Sequence, residues 1–153
     1  MREILFRGKR KDNGEWAEGQ YYRRTYYYGD ESEGHYIITS TETLDFDQAL
    51  EYEEVIPETL GQYTGLTDKN GNKIFEGDVV DIRNTDVYEC EGPAAQDDPL
   101  VTVTYETYLG GFNPFANYDC DCGMYCPSNE VMVIGNIHDD PELLEKGVNV
   151  DAK

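Results

Sequence analysis

The sequence predicts a mainly β protein with one short helix near its C-terminal end. Three observations carry the prediction. Apolar and polar residues alternate at period two through most of the chain, corners built on Asn-Gly or Gly-Asp separate the alternating stretches, and only the segment after Asp139 sets an acidic cap, a proline and a leucine pair in helical order.

In residues 3–7, Ile4 and Phe6 fall on one face and Glu3, Leu5 and Arg7 on the other, as in a half-buried strand. Lys11-Asp12-Asn13-Gly14 is a turn, because Asn and Gly accept positive φ, and it sends the chain back through EWAEGQYY as a hairpin. Trp16, the only tryptophan, is expected to anchor the returning strand against the core. Tyr21-Tyr22 and Tyr26-Tyr27-Tyr28 continue the strand character across Arg23-Arg24. Past a glycine-containing acidic loop at 29–34, HYIITS is a further strand, while residues 43–54 (TLDFDQALEYEE) fit either a helical turn or an irregular strand. Pro57 ends the apolar run before it, since it has no N–H to continue a ladder.

The second half is marked more sharply. Asp68-Lys69-Asn70-Gly71 is a turn between apolar flanks, and Gly77-Asp78 is a bend feeding a strand with Val79, Val80 and Ile82. Residues 84–99 are polar, acidic and without period, and are expected to be a loop insertion. LVTVTYETY resumes the alternation with Val101, Val103 and Tyr105 on one face. Residues 110–129 are too rich in Gly, Pro, Asn and Asp for regular structure and form a second long loop, whereas EVMVIGNI is a strand. Asp139-Asp140-Pro141-Glu142 then starts the helix, with Leu143 and Leu144 facing the body and Gly147 as its stop.

With 153 residues the chain has room for one medium domain or two small modules, and it needs neither disulfide nor metal to build a core. Thirteen tyrosines and five phenylalanines supply large packing groups to a composition that is 39% hydrophobic. No stretch approaches the roughly 20 apolar residues of a membrane-spanning helix, and the opening MREILFRGKR has no signal-peptide core, so a cytoplasmic protein is expected. The formal charge of −20 opposes contact with a phosphate backbone. It is uneven, since residues 1–24 balance at +3 and leave −23 for the rest.

Two blocks carry a resemblance. VIPETLGQYTGLTDKNGNKIFEGDVVDI at 55–82 and EVMVIGNIHDDPELLE at 130–145, with the opening MREILFRGKRKDNGEWAEG, closely resemble the YopX family of phage and prophage proteins. The resemblance implies a bacterial cytosolic protein from a phage or mobile element, with no catalytic residues to carry over. It also implies a β-rich N-terminal module over 1–60 and a C-terminal module over 61–147 similar to a small SH3-like barrel. The insertions at 84–99 and 110–129 depart from the family pattern, and 148–153 are left as a flexible tail.

Candidate chemistry is sparse. Cys120, Cys122 and Cys126 lie within seven residues, and Cys90 would complete a four-thiolate structural zinc site if the two loops met. The single residue between Cys120 and Cys122 is shorter than the about two to four usual there, and free loop thiols are the competing reading, with no resident cofactor. His35 and His138 have no adjacent nucleophile in the sequence. GLTDKNGNK lacks the Gly-Lys-Ser/Thr ending of a phosphate loop, and the acids near 119–121 and 139–140 do not follow a calcium-loop pattern. An enzyme is therefore not expected.

What remains is an interaction protein. Tyr21, Tyr22, Arg23, Arg24, Tyr26, Tyr27 and Tyr28 are the expected interface, because tyrosine combines buried area with a hydrogen-bonding tip. The partner would be a phage or host protein, or a second copy in a homo-oligomer. Two alternatives use the same residues or the charge: an acidic mimic of DNA that inhibits a host DNA-binding protein, and a nucleic-acid-binding module using the Arg/Tyr patch. The net charge disfavours the second of these.

Overall fold

Asn13 and Gly14 close the first corner as their chemistry requires. Gly14 sits at φ 73° and its N–H donates to the Arg10 carbonyl, while the Asn13 side chain accepts from the Glu15 N–H at 2.9 Å. The computed structural model describes residues 2–25, 33–39, 51–83, 85, 99–116 and 126–146. The chain divides into two compact units, residues 1–63 and 64–153.

In the first unit the corner joins β1 (Phe6–Lys9) to β2 (Trp16–Thr25). The first residues of β2 pair with β1, and residues 20–25 pair with β3 (Glu33–Ile38), which pairs in turn with β4 (Tyr52–Glu54). All these pairings are antiparallel. The segment that fitted helix or strand thus ends as a short strand, and its residues 43–50 lie outside the described ones. Pro57 opens a single 3-10 turn, Pro57–Thr59. Thr59 ties that turn to β1: its hydroxyl donates to the Ile56 carbonyl at 2.7 Å and accepts from the Lys9 N–H at 2.8 Å. The next strand, β5 (Gly61–Thr67), starts against β1 at Arg7↔Gly61 and Phe6↔Gln62.

One face of this sheet is the core. Ala17, Ile37 and Val55 are buried, with Phe6, Tyr21 and Leu60 packed against them. Trp16 does not belong to that core, contrary to expectation. It pairs with Lys9, one residue out of phase with Ala17, so its ring stands on the other face. Ile4, expected beside Phe6, precedes the first strand and is 62% exposed.

In the second unit, the Asp68–Asn72 corner follows β5 and leads to β6 (Lys73–Phe75), with Gly71 at φ 84°. Next come β7 (Asp78–Asp81), β8 (Leu100–Thr102), β9 (Thr104–Glu106), β10 (Gly111–Asn113) and β11 (Met132–Asn136). β11, β7 and β8 form one antiparallel sheet in that order, and β9 pairs with β10 in a separate ribbon. Ile74, Val80, Ile82, Val103, Phe112, Cys126 and Val131 are its buried cluster.

The protein is mainly β with a short C-terminal helix, as expected, but among the described residues no barrel closes. A further difference lies at Val103. Residues 100–108 are not one strand, because Val103 bonds through both its N–H and its carbonyl to the Gly77-Asp78 bend at 2.8 Å, and the chain changes partners there. Tyr105, expected inward with Val101 and Val103, is 46% exposed and meets Phe112 edge to face. A second difference lies in the cysteine loop, whose beginning forms β10. Residues 84 and 86–98 of the acidic insertion are outside the described ones, but its ends meet where the Ile82 N–H bonds the Pro99 carbonyl at 2.9 Å.

At the C-terminal end the Asn136 side chain accepts from the His138 and Asp139 N–H groups, and helix α1 (Glu142–Lys146) follows. Leu143 packs over Gly135, whose missing Cβ leaves room for it, whereas Leu144 turns outward at 42% exposure, against expectation.

Candidate interaction face

Residues paired across an antiparallel sheet point to the same side. The registers therefore sort the first unit's side chains into two faces. Phe6, Ala17, Tyr21, Arg23, His35 and Ile37 share the core face. The opposite face carries, row by row, Trp16 with Lys9, Glu18 with Arg7, Gln20 with Ile38 and Tyr52, Tyr22 with Tyr36 and Glu54, and Arg24 with Gly34.

The expected interface residues are therefore divided. Tyr22 and Arg24 stand on the open face, and Tyr22 is 52% exposed. Tyr21 turns the other way, half-buried, against the Phe6 ring at 5.5 Å and over the His35 ring, with its hydroxyl 2.7 Å from His35 Nδ1. Arg23 shares Tyr21's side and stays exposed at the strand's end. Tyr26, Tyr27 and Tyr28 lie outside the described residues. Tyr21 thus acts in holding β2 to β3. Replacing it with Phe keeps the ring contacts and removes the hydroxyl, and a urea midpoint shift equivalent to about 1 kcal/mol is expected.

The open face combines aromatic rings with cations. The Arg7 guanidinium lies 4.7 Å from the centre of the Trp16 ring and the Lys9 ammonium 5.5 Å from it. Tyr36 meets Tyr52 edge to face at 5.5 Å, and Tyr52 is 60% exposed. Tyr36 leans over Gly34, where a Cβ would come within 2.4 Å of its ring. At the margin Lys11 Nζ holds Glu54 at 2.6 Å. Among the described residues, the strand registers place four cations (Arg7, Lys9, Lys11, Arg24) and two carboxylates (Glu18, Glu54) on this face or at its margin, on a chain whose formal charge is −20.

A family model described as YopX protein matches residues 5–145. The chain belongs to the YopX family. Among solved structures, the crystal structure of protein EF1440 from Enterococcus faecalis is similar in fold, with a TM-score of 0.50 and 24% sequence identity over 94% of this chain and 99% of that one. No curated protein matches the sequence.

The other residues singled out in this YopX-family chain are placed as follows. Cys126 is in the apolar core of the second unit, 3% exposed, and burial, reinforced by the Glu130 carboxylate, pushes its pKa up to about 12. It is a protonated packing group at neutral pH, and a thiolate ligand there would have to overcome that shift. Cys90, Cys120 and Cys122 lie outside the described residues. Among the described residues no group of three or more His, Cys, Asp or Glu side chains is arranged to hold a metal ion, and no helix is long and apolar enough to cross a membrane. His138 sits in the turn between β11 and α1, its N–H bonded to Asn136 at 2.9 Å.

Sequence reasoning missed Arg7, Lys9, Trp16, Tyr36 and Tyr52 as members of one face. The alternation of Ala17, Gly19 and Tyr21 with Glu18, Gln20 and Tyr22 was a usable signal for β2. Tyr36 and Tyr52 join only through the registers of β3 and β4, which no local pattern reports.

Proposed function

We propose that this YopX-family chain is a non-catalytic accessory protein of a phage or prophage, working in the bacterial cytosol through contact with another protein, and that the open face of its N-terminal sheet is the contact surface. The observation that carries the reading is the company kept by Tyr22 and Tyr52. Both are more than half exposed, and they stand among Trp16, Tyr36, Arg7, Lys9 and Arg24 on one pleated surface. Aromatic residues and arginine are enriched where proteins meet, since they combine large contact area with hydrogen-bonding or charged tips.

The DNA-mimic reading draws on the acidity alone and needs carboxylates spaced along one face. On this face Glu18 and Glu54 are interleaved with cations, which counts against it.

The test is a pull-down from lysogenic cells with the wild-type chain, the double variant Tyr22→Ala/Tyr52→Ala, and Tyr108→Ala as a control on an exposed tyrosine of the other unit. A partner recovered by the wild type and the control but lost by the double variant is the expected result. Equal recovery by all three, or recovery by none, would overturn the assignment of this face.

A further inference from the structure

We infer that the open face docks an acidic, extended segment of the partner protein, its carboxylates meeting Arg7, Lys9 and Arg24 and its apolar side chains lying on Tyr22 and Tyr52. The inference rests on the protein-contact reading above and specifies the chemistry of what is bound.

The sign of the charge is the first argument. The chain is strongly anionic as a whole, yet this face gathers cations at both ends of the β2 rows, Lys9 and Arg7 beside Trp16 and Glu18, and Arg24 beside Gly34. Between them stand the exposed rings of Tyr22 and Tyr52. A ligand that matches this order has negative groups flanking apolar ones.

Nucleic acid and peptide both fit that outline, and two observations separate them. Arg7 and Lys9 both lie over the Trp16 ring, so a base stacking on the side they cover would have to displace them. Glu18 and Glu54 interrupt the cations, directly opposite Arg7 and Tyr36. A phosphate chain carries charge at every step and would meet those carboxylates, whereas a peptide can place a neutral residue there. The surrounding anionic field also opposes the more densely charged ligand.

Trp16 makes the binding observable, because it is the only tryptophan and lies under the two cations that the ligand would draw on. The probes are a short synthetic peptide, Glu-Ser-Phe-Ser-Phe-Ser-Glu, whose alternate residues present acids flanking apolar groups on one side of an extended chain, the same peptide with Lys for Glu, and an oligothymidylate, each titrated into the intact chain while Trp16 emission is followed. The acidic peptide is expected to change the emission saturably, more weakly at high salt, and the lysine peptide to leave it unchanged.

Two variants of equal net charge localise the effect. Arg24→Glu, on the open face, is expected to weaken binding by about tenfold or more, and Arg23→Glu, next along the strand but on the other face, to leave it near the wild-type value. Absence of a saturable change, equal binding of the lysine peptide, preference for the oligothymidylate, or equal losses in the two variants would each overturn the inference. If the partner is lost by Tyr22→Ala/Tyr52→Ala while the acidic peptide fails to bind, only the chemistry of the segment is wrong; if the double variant loses nothing, the contact face itself is wrong.

Discussion

Replacing Asp68 with alanine is expected to lower stability by about 3 kcal/mol, read as a fall in the urea midpoint without a change in slope. Asp68 is 3% exposed and its carboxylate organises the corner between β5 and β6. One oxygen accepts from the Asn70 and Asn72 backbone N–H groups, both at 2.9 Å. The other accepts from the Asn72 side-chain amide at 3.1 Å and from the Val133 N–H at 3.2 Å. Alanine removes all four acceptor contacts at once. Asn70 and Asn72 are exposed, so water can take over part of their bonding. The Val133 N–H, at the start of the irregularity in the β11 ladder, is less well placed to recover. Asp68→Asn keeps one carbonyl oxygen and is expected to lose about 1 kcal/mol. Equal losses in the two variants would show that neither volume nor a single acceptor oxygen holds the corner, which then depends on the charged carboxylate with both oxygens accepting.

The same carboxylate makes part of the stability pH-dependent, and its sign can be worked out. Burial pushes the Asp68 pKa up, but the hydrogen bonds from Asn72, Val133 and Asn70 together outweigh it and hold the group below the ordinary carboxylate range. Asp81 behaves alike: burial pushes it up, and the Arg83 side chain and N–H bring it down further than that. A depressed folded value means that these groups contribute stability above the unfolded pKa of about 3.9, and that the contribution is lost as pH falls through the folded value. Acid also relieves the self-repulsion of an anionic chain, which acts in the opposite direction. The difference between wild type and Asp68→Asn isolates the first effect: it should be constant at neutral pH and shrink below about pH 4.

Asp68 also marks where sequence reading stops. The Asp68-Lys69-Asn70-Gly71 corner was legible, because Gly supplies the positive φ and Asp and Asn satisfy backbone groups close by. The bond to Val133 was not, since that partner lies 65 residues away and depends on how β11 approaches the corner. Residues 100–108 show the same limit. Their alternation is real, but Val103 divides them by bonding a bend some twenty-five residues earlier in the chain. In β2 the opposite holds: period two separates Tyr21 from Tyr22 and Arg23 from Arg24 without any tertiary information, and treating them as one cluster ignored a signal that was present. The face they belong to was half legible for that reason. Its basic and aromatic members on β2 could be read locally, and those on β3 and β4 could not.

Gly19→Ala is expected to be as damaging as the loss of Asp68, about 3 kcal/mol, at the upper end of what overpacking costs. Gly19 lies on the core face of β2, in register with Phe6. A Cβ built on it would stand 1.9 Å from the Ile38 carbonyl oxygen and 2.8 Å from its carbon, with Ile37 Cγ2 at 3.2 Å. The obstacle is backbone, so no rotamer change relieves it. β3 would have to move away from β2, taking with it Ile37, which is fully buried, and the Tyr21–His35 contact. Gly34→Ala provides the contrast. There the three atoms nearest the added methyl all belong to the Tyr36 side chain, which can swing outward over the open face. The expected loss is about 1 kcal/mol or less, since a surface ring is displaced instead of a strand. If the two alanine variants shifted the urea midpoint equally, the distinction between a backbone and a side-chain obstacle would fail, and with it the account of β2 and β3 as the rigid support beneath Tyr22, Tyr36 and Arg24.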